Sequence, residues 1–213
     1  TGSGKTYTMT GGSEEPEQRG ILPRAVQDLF HAKDNQDGDV AITLTYMEIH
    51  NDEIRDLLSE ENAESNSPLK LRDHGDDGIV VNGLRSVSVK NEREVQELLE
   101  LAGRNRMAAS TKMNQHSSRS HAICTFTVTI ASTQNTMEVI SAKLVLVDLA
   151  GSERIKQTGV VGLAKQESIN INKDLFVLAK VVSALSDQSK SKKKVHVPYR
   201  DSKLTRLLRE SLG

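Results

Sequence analysis

The sequence predicts an α/β fold with three layers, in which helices flank a central, mainly parallel sheet. Apolar residues alternate with threonine or other residues along 42–49 and 124–130, and this period of two is typical of strands. The run 144–147 (Leu-Val-Leu-Val) is apolar throughout, which indicates a strand buried on both faces. Strand patterns alternate with helical spacing along the chain, as they do in layered α/β domains. The predicted helices cover 23–33, 92–106, 167–185 and 201–212.

Two of the predicted helices carry specific signals. Pro23 occupies the first turn of the helix over 23–33, where a missing N–H is tolerated. The helix over 167–185 has the clearest spacing, and its apolar stripe is expected to face the core while two lysines lie on other faces. The stripe consists of Ile171, Leu175, Leu178, Val182 and Leu185, and the lysines are Lys173 and Lys180.

Three segments lack a strand or helix pattern. Residues 11–20 and 59–68 are polar and contain Gly, Pro, Ser or Asn, so they are predicted to be loops. Residues 186–194 are predicted to form a short basic loop of low complexity.

The composition is that of a soluble domain with a sizeable core. Of 213 residues, 36% are hydrophobic and 27% are charged. The single cysteine, Cys124, excludes an internal disulfide and is expected to be a packing residue. No apolar run approaches the roughly 18 residues that a membrane-spanning helix needs. We therefore expect a reducing, cytosolic or nuclear setting and no membrane partner.

The net charge of −1 conceals a local asymmetry. Residues 51–100 carry 13 acidic and 6 basic side chains, whereas residues 187–213 carry 8 basic and 3 acidic ones. A chain that is neutral overall but basic at one end predicts a local acidic partner, and it argues against direct nucleic-acid binding.

The first six residues, Thr-Gly-Ser-Gly-Lys-Thr, match the last six of the eight positions of the phosphate-binding pattern G-x-x-x-x-G-K-[ST]. Glycines let such a loop curl so that successive N–H groups point at phosphate oxygens. Lys5 is expected to reach the β- and γ-phosphates, and the Thr6 hydroxyl to bind Mg²⁺. The alternative is a polar turn without a ligand. The candidate nucleotide-binding residues are Gly2, Ser3, Gly4, Lys5, Thr6 and Tyr7.

Two further polar segments favour a triphosphate site. Residues 114–121 place hydroxyls and a guanidinium just before a predicted strand, and residues 148–153 begin where the apolar strand over 144–147 ends. Ligands of α/β sheets bind outside the carboxyl ends of strands. Asp148 can hold the Mg²⁺ shell there, and Gly151 can offer its N–H to a γ-phosphate. Taken singly, each segment is equally compatible with a role that involves no phosphate. Residues 114–121 could form a solvated turn, and Asp148 could be a helix N-cap.

Taken together, these segments resemble the kinesin motor domain. The sequences T-G-S-G-K-T-Y-T-M at 1–9, N-Q-H-S-S-R-S-H at 114–121 and D-L-A-G-S-E at 148–153 are similar to its P-loop, switch I and switch II. The resemblance covers nearly the whole chain. It extends to G-I-L-P-R at 20–24, Y-M-E-I-H-N-D-E-I-R-D-L-L at 46–58, I-N-K at 171–173 and V-P-Y-R-D-S-K-L-T-R-L-L at 197–208.

The resemblance implies a P-loop fold and a microtubule-stimulated ATPase that uses ATP and Mg²⁺ and works on the cytoplasmic cytoskeleton. It implies an ion pair between Arg119 and Glu153 that closes the site around the attacking water. The implied catalytic residues are Asn114, Ser117, Ser118, Arg119, Asp148, Gly151 and Glu153, and the implied metal-site residues are Thr6, Ser117 and Asp148. The alternative is a module that binds nucleotide and microtubules without productive hydrolysis. A small GTPase is disfavoured because Leu175 stands where the guanine-reading N-K-x-D string needs aspartate.

The resemblance also implies a microtubule-binding surface on the helix over 167–185, the basic segment after it and the helix from 201. The candidates are Lys173, Lys180, Lys190, Lys192, Lys193, Lys194, His196, Tyr199, Arg200, Lys203 and Arg206. The alternative for 190–194 is a solubilising loop with no partner. Asp174 stands where many kinesins have serine. It lies on the helix expected to face the microtubule, where an added acid would weaken binding and Lys180 would offset it.

The family pattern further predicts that residues 1–213 are part of a motor domain. Its first strands would precede Thr1, and its closing strand, last helix and neck linker would follow Gly213. We expect oligomerisation to use regions outside this chain. We also expect the chain by itself to be poorly stable and inactive, because its sheet would have exposed edges.

Overall fold

The computed structural model describes residues 3–12, 16–36, 38–60, 67–73, 78–110, 119–131, 139–151, 163–190 and 195–213. The strands in these residues are β1 (Asp39–His50), β2 (Glu53–Asp56), β3 (Lys70–Asp73), β4 (Ile79–Asn82), β5 (Val87–Val89), β6 (Ser120–Ala131) and β7 (Val139–Asp148). The α-helices are α1 (Lys5–Thr10), α2 (Ile21–Asp34), α3 (Glu92–Ser110), α4 (Leu163–Lys190), α5 (Lys203–Leu207) and α6 (Arg209–Leu212). Short 3₁₀ helices cover Pro16–Gln18 and Tyr199–Asp201.

The main sheet has the order β2-β1-β6-β7, and β5 also pairs with β1. Strands β3 and β4 form a separate pair. Every strand pair in the described residues is antiparallel, so the prediction of a mainly parallel sheet is wrong for this part of the chain. Short connections explain two of these pairs: only residues 51–52 separate β1 from β2 and only 132–138 separate β6 from β7, whereas a parallel pair needs a crossover of a dozen or more residues. The β1–β6 pair joins strands far apart in the chain, and connection length does not decide its direction.

The β1–β2 connection is a tight turn. Asn51 and Asp52 both have positive φ angles, of 50° and 61°. Two consecutive residues of this kind are the signature of the type I′ turn that matches the twist of a hairpin, and Asn and Asp tolerate the left-handed region better than most residues. The turn brings the Asp52 carbonyl to α5, where it accepts a hydrogen bond from Lys203 Nζ.

The two faces of the sheet carry separate hydrophobic cores, because alternate residues of a strand point to opposite faces. Ile42, Leu44 and Phe126 pack with buried residues of α2 and α3 on one face. Met47 and Ile49 pack with Leu204 and Leu208 from the C-terminal helices and with part of α4 on the other. The predicted three-layer arrangement is therefore confirmed. Burial raises the pKa of the Cys124 thiol to about 12, which fits its predicted packing role.

The predicted strands over 42–49 and 124–130 lie within β1 and β6, and the run 144–147 lies within β7. The side chains of this run do pack on both faces, Leu144 and Leu146 on one core and Val145 and Val147 on the other. Each is only half-buried, however. Full burial was wrongly expected because β7 pairs with β6 alone among the described strands.

The predicted helices over 23–33, 92–106 and 167–185 lie within α2, α3 and α4. The predicted basic loop over 186–194 is wrong in its first half, because α4 continues to Lys190 and no Gly or Pro interrupts it; residues 191–194 lie outside the described part. The predicted helix over 201–212 divides into α5 and α6 at Leu208, and Ser202 caps α5 by accepting a hydrogen bond from Thr205 N. No helix in the described ranges is long and apolar enough to cross a membrane.

The buried face of α4 differs from the predicted stripe. Val177 and Val181 are buried, as is Asp174, whereas Val182 is 50% exposed. Leu175, Leu178 and Leu185 are half-buried, and the side chain of Ile171 lies outside the described part. The helix is thus rotated from the orientation that its spacing predicts, because contacts with β6 and α5, rather than its own periodicity, decide which face is covered.

Candidate functional site

The chain begins its first helix at a glycine with a special backbone conformation. Gly4 has φ 76° and precedes α1, and glycine adopts this left-handed region without steric cost. Lys5 Nζ donates to Ser3 Oγ at 2.9 Å. Tyr7 is 55% exposed, and Gly2 lies outside the described residues. The predicted curl of the loop is therefore present at Gly4.

The start of α1 contacts the carboxyl end of β7. Thr6 Oγ1 donates to Asp148 Oδ2 at 2.9 Å, although the two residues are 142 positions apart. Asp148 is only 5% exposed. The fold therefore brings together two of the three residues predicted for the metal site. The third, Ser117, lies outside the described part.

Arg106 of α3 completes a buried ion cluster around Asp148. Its Nη1 lies 3.0 Å from Asp148 Oδ2, and its Nε lies 3.3 Å from Glu48 Oε1. Its Nη2 also donates to the Ser120 carbonyl at 3.2 Å. One guanidinium thus links β1, β6 and β7 to α3 immediately behind the Thr6–Asp148 contact.

Glu48 and Arg106 were not among the predicted site residues, although the pattern of β1 contained a signal for Glu48. Positions 40, 42, 44 and 46 of this strand are buried and apolar and face α2 and α3. Glu48 continues the same period of two, so the pattern predicts that this charged side chain faces the core. Buried acids are almost always paired with a cation. The partner could not be identified from the sequence because it lies on another element.

His121 is a second buried polar link at the end of the sheet. It is 1% exposed, and its Nδ1 accepts a hydrogen bond from the Ala150 N–H at 3.1 Å. Burial, together with the nearby Arg106, lowers the pKa of His121 to about 4. The imidazole is therefore neutral at pH 7 and carries its proton on Nε2. His121 therefore acts as a hydrogen-bond acceptor at the end of the sheet.

The Nε2 atom of His121 faces Asp174 on α4, with Oδ2 at 3.9 Å. Asp174 is 6% exposed, so the expectation that it faces a microtubule is wrong. Burial raises the pKa of Asp174 to about 6, and Asp52 adds to the effect, while Lys173 and a hydrogen bond from Ser202 oppose it.

We expect Asp174→Asn to stabilise the domain above pH 6. Because the folded-state pKa is raised, the wild-type carboxyl contributes fully to stability below pH 3.8, and that contribution is lost as the pH rises through 6. The raised pKa corresponds to a loss of about 3 kcal/mol from the free energy of unfolding of the wild type at pH 8. The variant should therefore be more stable than the wild type by about this amount at pH 8 and only slightly more stable at pH 4. Urea unfolding at both pH values measures the difference. Asp28→Asn, at an exposed position of α2, is the control; an equal gain at both pH values would contradict the assignment.

Of the remaining predicted catalytic residues, two lie at the edges of described ranges and four lie outside them. Gly151 is buried directly after β7, and Arg119 is half-buried directly before β6. Asn114, Ser117, Ser118 and Glu153 lie outside the described residues. The Arg119–Glu153 ion pair therefore stays a prediction.

The candidate microtubule-binding residues differ in their exposure to solvent. Lys173, Lys180, Lys190, His196 and Arg200 are exposed, Tyr199, Lys203 and Arg206 are half-buried, and Lys192, Lys193 and Lys194 lie outside the described part. Several make internal contacts. Lys180 Nζ lies 4.6 Å from the centre of the Phe176 ring, Arg200 Nη2 lies 3.5 Å from Asp73 Oδ2, and the Tyr199 hydroxyl donates to the Gly213 carbonyl.

The fold and the site have the features of a P-loop type α/β domain: a glycine turn opening a helix beside an aspartate at the end of a strand. The family model described as "Kinesin motor domain" matches residues 1–213. The chain therefore belongs to the kinesin motor domain family.

Known proteins agree with this assignment. The chain is 45% identical over its whole length both to kinesin-like protein klp-20 of Caenorhabditis elegans and to a kinesin heavy chain of Neurospora crassa. It spans only 32% and 22% of these two relatives.

Two solved structures share the fold. The first, described as a fast kinesin, has a TM-score of 0.87 and 42% identity; the whole of this chain matches 58% of it. The second, a KIF14 dimer in its two-heads-bound state with AMP-PNP in complex with a microtubule, has a TM-score of 0.86 and 41% identity; the whole of this chain matches 60% of it. The kinesin-like fold expected from the sequence is thus confirmed.

Proposed function

We propose that the chain forms the catalytic part of a microtubule motor that hydrolyses ATP. The observation that carries the proposal is the contact of Thr6 with Asp148, which joins the phosphate-loop motif to the start of the switch II motif. The family match over residues 1–213 supports it. So does the structural likeness to a kinesin in complex with AMP-PNP and a microtubule.

The residues around Asp148 fit a magnesium ion. Asp148 Oδ2 accepts hydrogen bonds from Thr6 and Arg106, whereas its buried Oδ1 has no hydrogen-bond partner among the described residues. Hydroxyl and carboxylate oxygens are the hard donors that Mg²⁺ prefers. Thr6 and Ser117 would bind the ion, and Asp148 would hold its hydration shell. When bound, Mg²⁺ neutralises charge on the β- and γ-phosphate oxygens.

The protein's own groups would bind and orient the triphosphate. Backbone N–H groups from Gly2 to Thr6 would surround the phosphates, and Lys5 would pair with the β- and γ-phosphates. Tyr7 would lie at the nucleotide edge of α1.

Hydrolysis would depend on the two switch segments. Ser117 and Ser118 would contact the γ-phosphate and the attacking water, with Asn114 at the phosphate edge. The Gly151 N–H would bind a γ-phosphate oxygen. Closure of the Arg119–Glu153 pair would exclude bulk water from the reacting group.

The exposed basic residues of α4 and of the segment after it would bind the microtubule. Lys173, Lys180 and Lys190 lie on the solvent-facing side of α4, and the acidic surface of tubulin would attract them over a screening length of about 8 Å at physiological salt. The protein would accordingly act in the cytoplasm on the microtubule cytoskeleton.

A phosphate-release assay on the intact protein, with and without microtubules, tests the proposal. We expect slow ATP hydrolysis that microtubules accelerate. The alternative function, a nucleotide-binding module that binds microtubules without productive hydrolysis, predicts co-sedimentation with microtubules and no stimulated release. Absence of both binding and stimulation would reject both functions.

Neutralising the basic segment should weaken microtubule binding. Replacing Lys190, Lys192, Lys193 and Lys194 with alanine is expected to raise the microtubule concentration for half-maximal stimulation about fivefold at low salt, because each lysine contributes to electrostatic attraction. Basal hydrolysis should change little. Alanine at Lys33 and Lys90, which lie near α2 and α3 on the other face of the sheet, is the control. Unchanged affinity at low salt would mean that the segment only promotes solubility.

A further inference from the structure

His121 connects the backbone after β7 to helix α4. One ring nitrogen, Nδ1, accepts the Ala150 N–H, and the other, Nε2, faces the Asp174 carboxylate. Both side chains are buried, with exposures of 1% and 8%. A single imidazole therefore spans the space between the residue before Gly151 and the interior face of α4.

The contact between His121 and Asp174 is incomplete. Because Nδ1 is the acceptor, the proton of the neutral ring lies on Nε2, which is buried without a hydrogen-bond partner among the described residues. Its distance to Asp174 Oδ2 is 3.9 Å, about 1 Å longer than an ordinary N–H···O hydrogen bond. Buried donors are rarely left unpaired, so such an exception calls for an explanation.

Asp174 lies beside the C-terminal helices. The Ser202 side chain, which caps α5, is near enough to lower the pKa of the Asp174 carboxyl. The charges around the pair are Asp52, Lys173 and Lys203 near Asp174, and Arg106 and Asp148 near His121. A displacement of α4 and α5 would therefore move the carboxylate relative to the ring.

We propose that Asp174 is a positioning residue whose contact with His121 lets the location of α4 set the orientation of the Ala150–Gly151 backbone. The inference rests on the proposed function, in which α4 binds microtubules and the Gly151 N–H contacts the γ-phosphate. A shift of α4 by about 1 Å closes the Nε2–H···Oδ2 hydrogen bond, and helix shifts of 1–2 Å are common at interfaces. In the closed contact the Asp174 carboxylate fixes the orientation of the His121 ring, and the ring in turn fixes the position of the Ala150 N–H.

The test compares stimulated and basal phosphate release by variants of the intact protein. Asp174→Ala removes the acceptor and should lower the microtubule-stimulated kcat roughly tenfold, the effect of losing a hydrogen bond to a charged group, with basal kcat and the KM for ATP within about twofold of wild type. Asp174→Asn keeps an oxygen acceptor and should restore most of the stimulation. Asp187→Ala removes an exposed acid from the same helix and should match wild type.

A double-mutant cycle separates positioning from a general structural role. His121→Asn retains an acceptor for the Ala150 N–H but lacks the Nε2 side of the ring. The His121→Asn, Asp174→Ala double variant should be no slower than the slower single variant, whereas additive losses would overturn the proposal.

Hydrogen exchange gives a second readout that does not depend on turnover. Microtubules should slow exchange of the Ala150 amide in the wild type and in Asp174→Asn but not in Asp174→Ala. Equal protection in all three overturns the inference while leaving the motor function intact. A wild-type protein that microtubules do not stimulate refutes the proposed function, and the inference with it.

Discussion

Arg106→Ala is expected to lower the free energy of unfolding by about 3–5 kcal/mol, the usual effect of removing one partner from a buried ion pair. The loss arises because Glu48 and Asp148, 1% and 5% exposed, would remain buried without their cation. Desolvation of two carboxylates is costly in a low-dielectric interior. The ion cluster need not be more stable than a hydrophobic replacement, but a cluster with one partner missing is much less stable.

Urea unfolding of the intact protein at pH 7 measures this effect. Arg104→Ala is the matched control, because Arg104 lies on the same helix, is 65% exposed and, within the part of the chain that the structure describes, makes only a surface contact with Glu100 at 3.9 Å; it should cost less than about 1 kcal/mol. Arg106→Lys should be intermediate, since an ammonium keeps the charge but cannot reach Glu48, Asp148 and the Ser120 carbonyl together. An Arg106→Ala variant as stable as the control would show that the cluster contributes nothing to folding.

Arg119→Ala or Glu153→Ala is expected to reduce microtubule-stimulated ATP turnover by at least about a hundredfold while ATP binding persists. Opposite unit charges about 4 Å apart attract by about 4 kcal/mol at an effective dielectric of about 20, before desolvation, and closure of the site would lose this attraction. Arg119 is well placed for such a switch. It directly precedes Ser120, which is fully buried and whose carbonyl is held by Arg106, so the arginine projects from a fixed point of the backbone.

Phosphate release with and without microtubules, together with binding of a fluorescent ATP analogue, separates turnover from affinity. Arg93→Ala is the control for loss of an arginine, because Arg93 is 88% exposed and its ion pair in the described ranges is with Glu97 on the surface of α3. The charge-swapped variant, Arg119→Glu with Glu153→Arg, should recover part of the activity if the two side chains pair. Near-normal stimulated turnover in either single variant would refute the gate.

Sequence motifs and strand periodicity gave correct predictions because both depend only on residues that are close together in the chain. The period of two placed β1 and β6 correctly, since it records which side chains point to the same face of a strand. The phosphate-loop motif and the aspartate after an apolar run predicted that Thr6 and Asp148 would meet, and they lie 2.9 Å apart. The whole-chain family match agrees with the same motifs.

Pairing and burial could not be predicted in this way. The sheet was expected to be mainly parallel, but its described pairs are antiparallel. Asp174 was expected at the microtubule surface on the strength of its position in α4, yet the helix turns this acid inward towards His121. An isolated helix has no preferred inner face beyond its apolar stripe, and contacts with β6 and α5 decided the rotation.

The family, the locations of β1, β6 and β7 and the residue types around the phosphate site could be predicted from sequence, because these properties reside in short segments. Contacts between distant parts of the chain place Arg106 between Glu48 and Asp148, and they place His121 between Ala150 and Asp174. Both clusters join residues far apart in the chain, and the free energy of burying a charge depends on which partners the fold brings within a few ångströms.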